Sequence, residues 1–241
     1  MINKIMTADE AVAGVEDGMT IMVGGFLATG SPQILMEALA RKGVKHLTVI
    51  GNDGGLDAGQ PAGDFAAKKA RGIGVLLENH QVDHIIATHL GVNPKLNEQF
   101  ADGSLKYTLV PQGTLAEKCR AAAYGLGGVL TPVGIGTPME TDKDELGRDK
   151  IVMELDGKKY LYERPITADY AFIRPTLADK FGNYMCSKTT RNFNIVMAGA
   201  AKKTIIAPER LVEVGETDPD MWQVAGGLVD VIVEGEEKWQ I

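Results

Sequence analysis

The sequence offers no basic stripe, no long apolar run and only two cysteines in 241 residues. Each shortage removes a class of function. Acidic residues outnumber basic ones, 32 to 25, for a net charge of -7, so the electrostatic footprint of a nucleic-acid binder is missing. No apolar stretch approaches the ~20 residues of a membrane-spanning helix, and no membrane association is expected. Cys119 and Cys186 form no C-x-x-C pair; zinc and dithiol chemistry have no support, and both read as small buried hydrophobes. Polar residues (Asn3, Lys4, Thr7, Asp9, Glu10) interrupt the start of the chain, which does not resemble a signal peptide, so a reducing cytoplasm is the expected setting. G-x-G-x-x-G is absent and no lysine precedes Ser31, which leaves neither a Rossmann fingerprint nor a P-loop. No serine sits in a G-x-S-x-G elbow, so a hydrolase triad is unsupported.

What is present suits a parallel sheet. Apolar residues make up 44% and charged residues 24%, enough to bury a core, and 29 glycines point to tight turns and close backbone approaches. TIMVGGF (20–26) and LTVIG (47–51) are short apolar runs that read as buried strands. Between them SPQILMEALARKG (31–43) reads as a helix. Ser31 is its N-cap, Pro32 its first residue, Ile34, Leu35, Ala38 and Leu39 its apolar stripe, and Gly43 its left-handed stop. The three make a βαβ unit. HIIAT (84–88), YTLVP (107–111), YAFIR (170–174), TIIA (204–207) and LVDVIV (228–233) add strands. TLAEKCRAAAYG (114–125) is a second helix, expected to open on a capping box of Thr114 and Glu117 and to stop at Gly125. IVMELDGKKYLYE (151–163) breaks the pattern as a β-hairpin around an Asp156-Gly157 type I′ turn. The charged stretch TDKDELGRDK (141–150) reads as a solvated loop. Together these give one α/β domain over 1–241, an open, mainly parallel sheet with flanking helices, and mixed strands and a hairpin in the C-terminal half.

Several residues are candidates for chemistry. Gly24, Gly25 and Gly30 lie between a strand and a helix N-terminus, where backbone approaches a ligand closely and the helix dipole favours an anion; a purely structural turn uses the same residues. Asn52 and Asp53 end the second strand, where ligands of open α/β sheets sit, or else they close an Asx-turn. Gln112, in Pro111-Gln112-Gly113-Thr114, has no structural duty that the sequence reveals, and its amide could act as an oxyanion-type donor. His80 and His84 are spaced i, i+4 and could share a helix face, but no third ligand accompanies them. They, His46 and His89 read as surface or satisfied side chains, and no metal is expected. Glu78, Glu98 and Glu117 could act as nucleophiles; Glu117 is better explained by capping, and nothing promotes the other two.

Over 17–32, DGMTIMVGGFLATGSP, the sequence resembles the signature of family I CoA-transferase α subunits, a Gly-Gly-Phe-x-x-x-Gly-x-Pro run carried here by Gly24, Gly25, Phe26, Gly30 and Pro32. LTVIGNDGG (47–55), HIIATHLGVNP (84–94), VPQGTLAEKCRA (110–121), TPVGIGT (131–137), ADYAFIRPTLADKFGN (168–183) and RNFN (191–194) follow in the family's order, so the resemblance covers nearly the whole chain. Through GLGGVLTPVGIGT (125–137) in part, it is similar to the acetate/acetoacetate and butyrate–acetoacetate type. The resemblance implies a cytoplasmic α subunit, active only with a β subunit. The pair would move CoA between a short-chain acyl-CoA and a carboxylic acid such as acetate, butyrate or acetoacetate. No cofactor is implied, the coenzyme A thioester being a substrate. The family's nucleophile is a β-subunit glutamate in a Ser-Glu-Asn-Gly run. It attacks the acyl-CoA, passes through an anhydride and becomes a glutamyl–CoA thioester. This chain has no such run, and Glu78-Asn79, followed by His80, is a decoy.

To this chain the resemblance assigns Asn52 and Gln112, holding the substrate carboxylate or the developing oxyanion beside the partner's glutamate. It also assigns a CoA-contacting loop of Gly24, Gly25, Phe26, Leu27, Ala28, Thr29 and Gly30. Two places depart from the family pattern: Ile195 stands where proline is usual, and QVAGGLVD (223–230) replaces a Thr-Pro-Gly segment. The competing readings on such a sheet are a dinucleotide-dependent oxidoreductase and a non-catalytic small-ligand or sugar-phosphate-binding domain.

Overall fold

A computed structural model describes residues 3–59, 61–62, 65–66 and 69–236; the expected unit of 1–241 extends past these at both ends. Eight strands form one sheet: β1 (Ile5–Met6), β2 (Thr20–Val23), β3 (Leu47–Ile50), β4 (Val82–Ala87), β5 (Lys106–Leu109), β6 (Ala168–Ile173), β7 (Ala201–Ile206) and β8 (Val231–Val233). Their order is β1-β8-β7-β6-β2-β3-β4-β5, and every neighbouring pair is parallel. The mixed strand directions lie outside this sheet. Val129–Thr131, Lys158–Glu163 and Ile151–Leu155 pair antiparallel, and Tyr184–Met185, Leu177–Asp179 and Leu211–Val212 form a mixed sheet of three. The hairpin of 151–163 is present: Asp156 and Gly157 have φ of 50° and 72°, both positive as a type I′ turn requires.

The strands are short continuous apolar runs because helices cover both faces of the sheet. Alternate residues serve two cores. Ile21, Val23, Val49, Ile85 and Phe172 face one, with residues of α1 (Ala8–Val12), α2 (Gln33–Lys42), α3 (Gly74–Glu78) and α4 (Pro94–Ala101). Met22, Ile50, Ile86, Ala171 and Ile173 face the other, with Leu115 and Cys119 of α5 (Gln112–Ala123) and Phe193 of α6 (Asn192–Val196). Cys119 and Cys186 are free and buried, and burial pushes both thiols up to about 12, so neither is a ready thiolate. Among the described residues no helix is long and apolar enough to cross a membrane.

Five local expectations are corrected. α2 ends on Gly43 at φ 75°, as its sequence suggests, but Ser31 does not cap it. The Ile34 N–H instead donates to Glu236 Oε2 at 3.1 Å, a carboxylate from 202 positions away. α5 starts at Gln112, not Thr114: the Pro111 carbonyl accepts from the Leu115 N–H at 2.9 Å, which places Thr114 inside the first turn. Pro111, with φ already at -53°, starts the helix without a side-chain cap, and Glu117 pairs with Arg120 rather than closing a capping box. His80 and His84 share no helix, since His80 sits in the turn after α3 with φ 48° and His84 lies in β4. Finally, the stretch 141–150 is not wholly solvated. Asp144 and Glu145 are buried, and Glu145 accepts from Lys118 Nζ at 2.9 Å. The strand expected over 228–233 begins only at Val231, after a 3-10 turn over Gly226–Leu228.

His84 carries a pH prediction. Burial, then the charge of Lys106, lowers its imidazole from 6.5 to about 4. The unfolded chain therefore takes up more protons than the folded one between those values, and stability present near neutrality is lost as pH falls through that window. In thermal melts across the window, His84→Gln is expected to lose less stability than the wild type.

The strand order also points to a candidate site. β3, β4 and β5 lie on one side of β2, and β6, β7 and β8 on the other, so the order reverses between β2 and β6. Ligands of open α/β sheets bind outside the carboxyl ends of the strands at such a reversal.

Candidate active site

β2 ends at Val23 and passes into Gly24–Gly30 at the reversal point. This loop is a tight hairpin. The Phe26 N–H donates to Thr29 O at 3.0 Å, and the Thr29 N–H donates to Phe26 O at 2.8 Å. Leu27 and Ala28 at its tip have φ of 47° and 64°. A left-handed conformation costs a non-glycine residue ~1–2 kcal/mol, so the tip needs outside support. Three side chains provide it. Asp53 Oδ2 accepts the Leu27 N–H at 2.8 Å. Asn192 accepts the Gly25 N–H at 3.2 Å and donates Nδ2 to Thr29 O at 3.0 Å. Asn194 donates Nδ2 to Gly30 O at 2.9 Å. Asn194 is fully buried and also accepts the N–H of Arg174, the residue after β6, at 3.0 Å. It thus ties together the ends of the two strands that flank the reversal. A Cβ on Gly24 would fall 1.9 Å from Asn194 Oδ1, so glycine is required there by packing. Gly24→Ala is expected to destabilise the fold by ~1–3 kcal/mol, read as a lower melting temperature.

The same bonds alter the meaning of the glycine loop. The N–H groups of Gly24, Gly25, Phe26, Leu27 and Thr29 all have partners inside the protein, Gly24 on Phe172 O at 2.9 Å. The Ile34 N–H of α2 is on Glu236. The segment therefore presents no anion cradle built on these six N–H groups; those of Ala28 and Gly30 take no part in these bonds. It presents side chains, above all Phe26, which is 37% exposed.

Asn52 and Asp53 follow β3, and Gln112 follows β5 by three residues. The fold brings all three together. Gln112 Nε2 donates to Asn52 Oδ1 at 2.6 Å, and Asn52 Nδ2 donates to Asp53 Oδ2 at 2.8 Å. Asp53 Oδ1 accepts the Gly55 N–H at 2.8 Å, and Thr88 Oγ1, after β4, donates to Asn52 O at 2.9 Å. A carboxylate only accepts, so Asp53 turns the amide nitrogen of Asn52 toward itself and leaves the oxygen for Gln112. That oxygen in turn demands the nitrogen of Gln112. One buried carboxylate thereby sets the polarity of two amides in series. Asn52 and Asp53 are 3% and 4% exposed, whereas Gln112 is exposed. Of the two residues expected to face substrate, only Gln112 faces open space; the amide of Asn52 is engaged in orienting it.

Gln112 borders a cavity of about 400 Å³ walled by Phe26, Ala116, Asn192, Phe193 and Val196. A second cavity of about 400 Å³ includes Thr20, Thr48, His84 and Ala168, and so lies toward the amino ends of the strands, away from the reversal.

The family model described as Coenzyme A transferase matches residues 5–235. The chain belongs to the coenzyme A transferase family. Acetate CoA-transferase subunit alpha of Escherichia coli (strain K12) is 42% identical over 237 residues, covering 98% of this chain and 99% of the relative. The acetoacetyl-CoA:acetate/butyrate CoA transferase alpha subunit of Clostridium acetobutylicum is 38% identical over 234 residues, 97% of this chain and 99% of that one. Matched end to end by chains of this kind, this CoA-transferase polypeptide is an α subunit, as its sequence resemblance implies. A crystal structure of acyl-CoA transferase from E. coli O157:H7, a thioester complex with CoA, aligns with a TM-score of 0.77 at 25% identity. It covers 99% of this chain but 48% of its own, so the CoA-transferase α subunit spans about half the length of that protein.

Sequence reading places RNFN (191–194) among the family landmarks without giving Asn192 and Asn194 a duty. Their partners lie 163 to 167 positions away for Asn192 and 164 for Asn194. The available signal was two asparagines, a residue type that readily bonds backbone groups, within one short segment.

Proposed function

We propose that this α subunit completes the active site of a heteromeric CoA-transferase whose β subunit carries a nucleophilic glutamate. The observation that carries the reading is the series Gln112, Asn52, Asp53 and the Leu27 N–H. It joins segments from the carboxyl ends of β5, β3 and β2 and leaves the amide of Gln112 at the mouth of a cavity. Among the described residues Asn52 is the one partner of that amide, so one of its two N–H groups remains to donate.

That donor suits the chemistry. A glutamate oxygen attacks the thioester carbonyl, a C–O bond forms, the C–S bond breaks, and CoA leaves as a thiolate. The thiolate attacks the glutamyl carbonyl of the resulting anhydride, releasing the first carboxylate and leaving a glutamyl–CoA thioester. A second carboxylate reverses these steps and takes the CoA. Each attack puts negative charge on a carbonyl oxygen, and a preorganised amide N–H stabilises it. Asn52 and Asp53 act through Gln112 as positioning residues. The loop Gly24–Gly30 contributes its side chains, Phe26 first, to the wall beside the thioester end of CoA, where it joins the acyl chain. Acetate, butyrate and acetoacetate are the carboxylates this reading favours, with a short-chain acyl-CoA as donor and no bound cofactor. Two free, buried thiols suit the cytoplasm it assigns.

The test is to tag the chain, purify it from its own cells and assay what accompanies it. A roughly equimolar partner with a Ser-Glu-Asn-Gly run, and acetate-dependent CoA transfer by the complex, is the expected result. A chain that is stable alone and binds a small ligand with no partner overturns the reading.

A further inference from the structure

We infer that the cavity beside Gln112 holds the alkyl chain of the acyl group that gives up or takes on CoA, and that Ala116 and Val196 set the chain length accepted. The inference rests on the proposed role of Gln112. If its amide binds the carbonyl oxygen of the reacting group, the next carbon of the acyl chain lies within a few ångströms of that amide, at the mouth of the cavity that Gln112 borders.

The walls are suited to hydrocarbon. Phe26, Ala116, Phe193 and Val196 supply aromatic and aliphatic surface. Of the polar side chains on the wall besides Gln112, Thr189 offers one hydroxyl and the amide of Asn192 is fully engaged. Asn192 Oδ1 accepts from Gly25 and Asn194, and its Nδ2 donates to Thr29 O and Thr189 O. The other occupant to consider is the pantetheine arm of CoA, which carries two amides. Against this surface their hydrogen bonds would go largely unmet, a penalty an alkyl chain does not meet. Size permits an alkyl chain. A methyl group needs about the ~30 Å³ of a water molecule, so a space of about 400 Å³ has room for more than an acetyl group. Ala116 lies on α5 one turn after Gln112, and Val196 ends α6 on the facing wall. Neither makes a side-chain hydrogen bond, so their bulk can be altered without breaking the polar series.

The experiment uses the purified α/β complex and compares kcat/KM for acetate, butyrate and hexanoate as CoA acceptors. Ala116→Leu fills the cavity and is expected to lower the hexanoate-to-acetate ratio at least tenfold. Val196→Ala enlarges it and is expected to raise that ratio, bounded by roughly fourfold per additional buried methylene. Because the second variant removes bulk, it tests the inference even if the first fails to fold. Unchanged ratios in a folded variant overturn the assignment, and an equal loss for all three acceptors overturns it in favour of the CoA arm. Failure of the wild-type complex to transfer CoA to any acceptor is a different result: it removes the proposed function itself and the inference with it.

Discussion

Gln112→Ala is expected to lower kcat of the α/β complex by ~10²–10³, the range seen when one oxyanion donor is removed. The loss should appear equally in kcat/KM, with KM little changed, because the lost bond strengthens only as charge develops on the carbonyl oxygen. Gln112 is exposed at the start of α5, so its truncation should leave the melting temperature close to that of the wild type. Asp53 provides a sharper test. Asp53→Asn keeps the shape of the series but removes the group that only accepts. Asn52 is then free to turn over, and Gln112 with it, so that some molecules present a carbonyl oxygen where a donor is needed. The expected result is a smaller fall in kcat than in Gln112→Ala. An unchanged rate in Gln112→Ala would remove this residue, and with it Asn52 and Asp53, from the mechanism.

Lys118→Met is expected to destabilise the protein by ~3–5 kcal/mol, the cost of leaving buried charge uncompensated. The ammonium of Lys118 is 1% exposed and donates to Glu145 at 2.9 Å and to Glu163 at 3.0 Å. Without it two buried carboxylates face each other. Glu163 keeps Lys150 at 3.2 Å, and no other cation is recorded against Glu145 among the described residues. Chemical denaturation of the purified subunit measures the loss. Lys118→Met combined with Glu145→Met should recover much of it, since replacing a buried ion pair with apolar side chains of similar volume is often neutral. No recovery in the double variant would show that the packing of the stem, rather than the charge, carries the stability. The site has an interest in the outcome. Lys118 sits six residues after Gln112 on the same helix, and its ion cluster pins that helix to the hairpin strand Lys158–Glu163 and to the loop before it.

Much of this molecule is written in short windows of sequence. Strands betray themselves as brief apolar runs because the sheet is covered on both faces, so nearly every position along Thr20–Val23 or Leu47–Ile50 is apolar or half-buried. The Asp156-Gly157 turn and the Gly43 stop depend only on local backbone preference, and both are found as read. The helix starts misled because a cap is a competition. Ser31 and Thr114 have the right chemistry, but a carboxylate returning from Glu236 in one case and the preset backbone of Pro111 in the other satisfied the helix end first. The charged run 141–150 misled for a related reason: whether Asp144 and Glu145 meet water or a buried lysine depends on a helix that lies elsewhere in the chain.

The sequence by itself determined the class of fold, the family and the segments of the candidate site: the glycine loop, Asn52-Asp53 and Gln112. Each rests on residue types and spacings that a few neighbouring positions contain. Only the tertiary structure decided which of their polar atoms are free. The Gln112–Asn52 bond spans 60 positions, the Asp53–Leu27 bond 26, and the Asn194–Gly30 bond 164. A donor is available to a substrate only when nothing else in the folded chain has taken it. That property belongs to the packed whole, because burial obliges every amide and carboxylate near the site to find a partner before a ligand arrives.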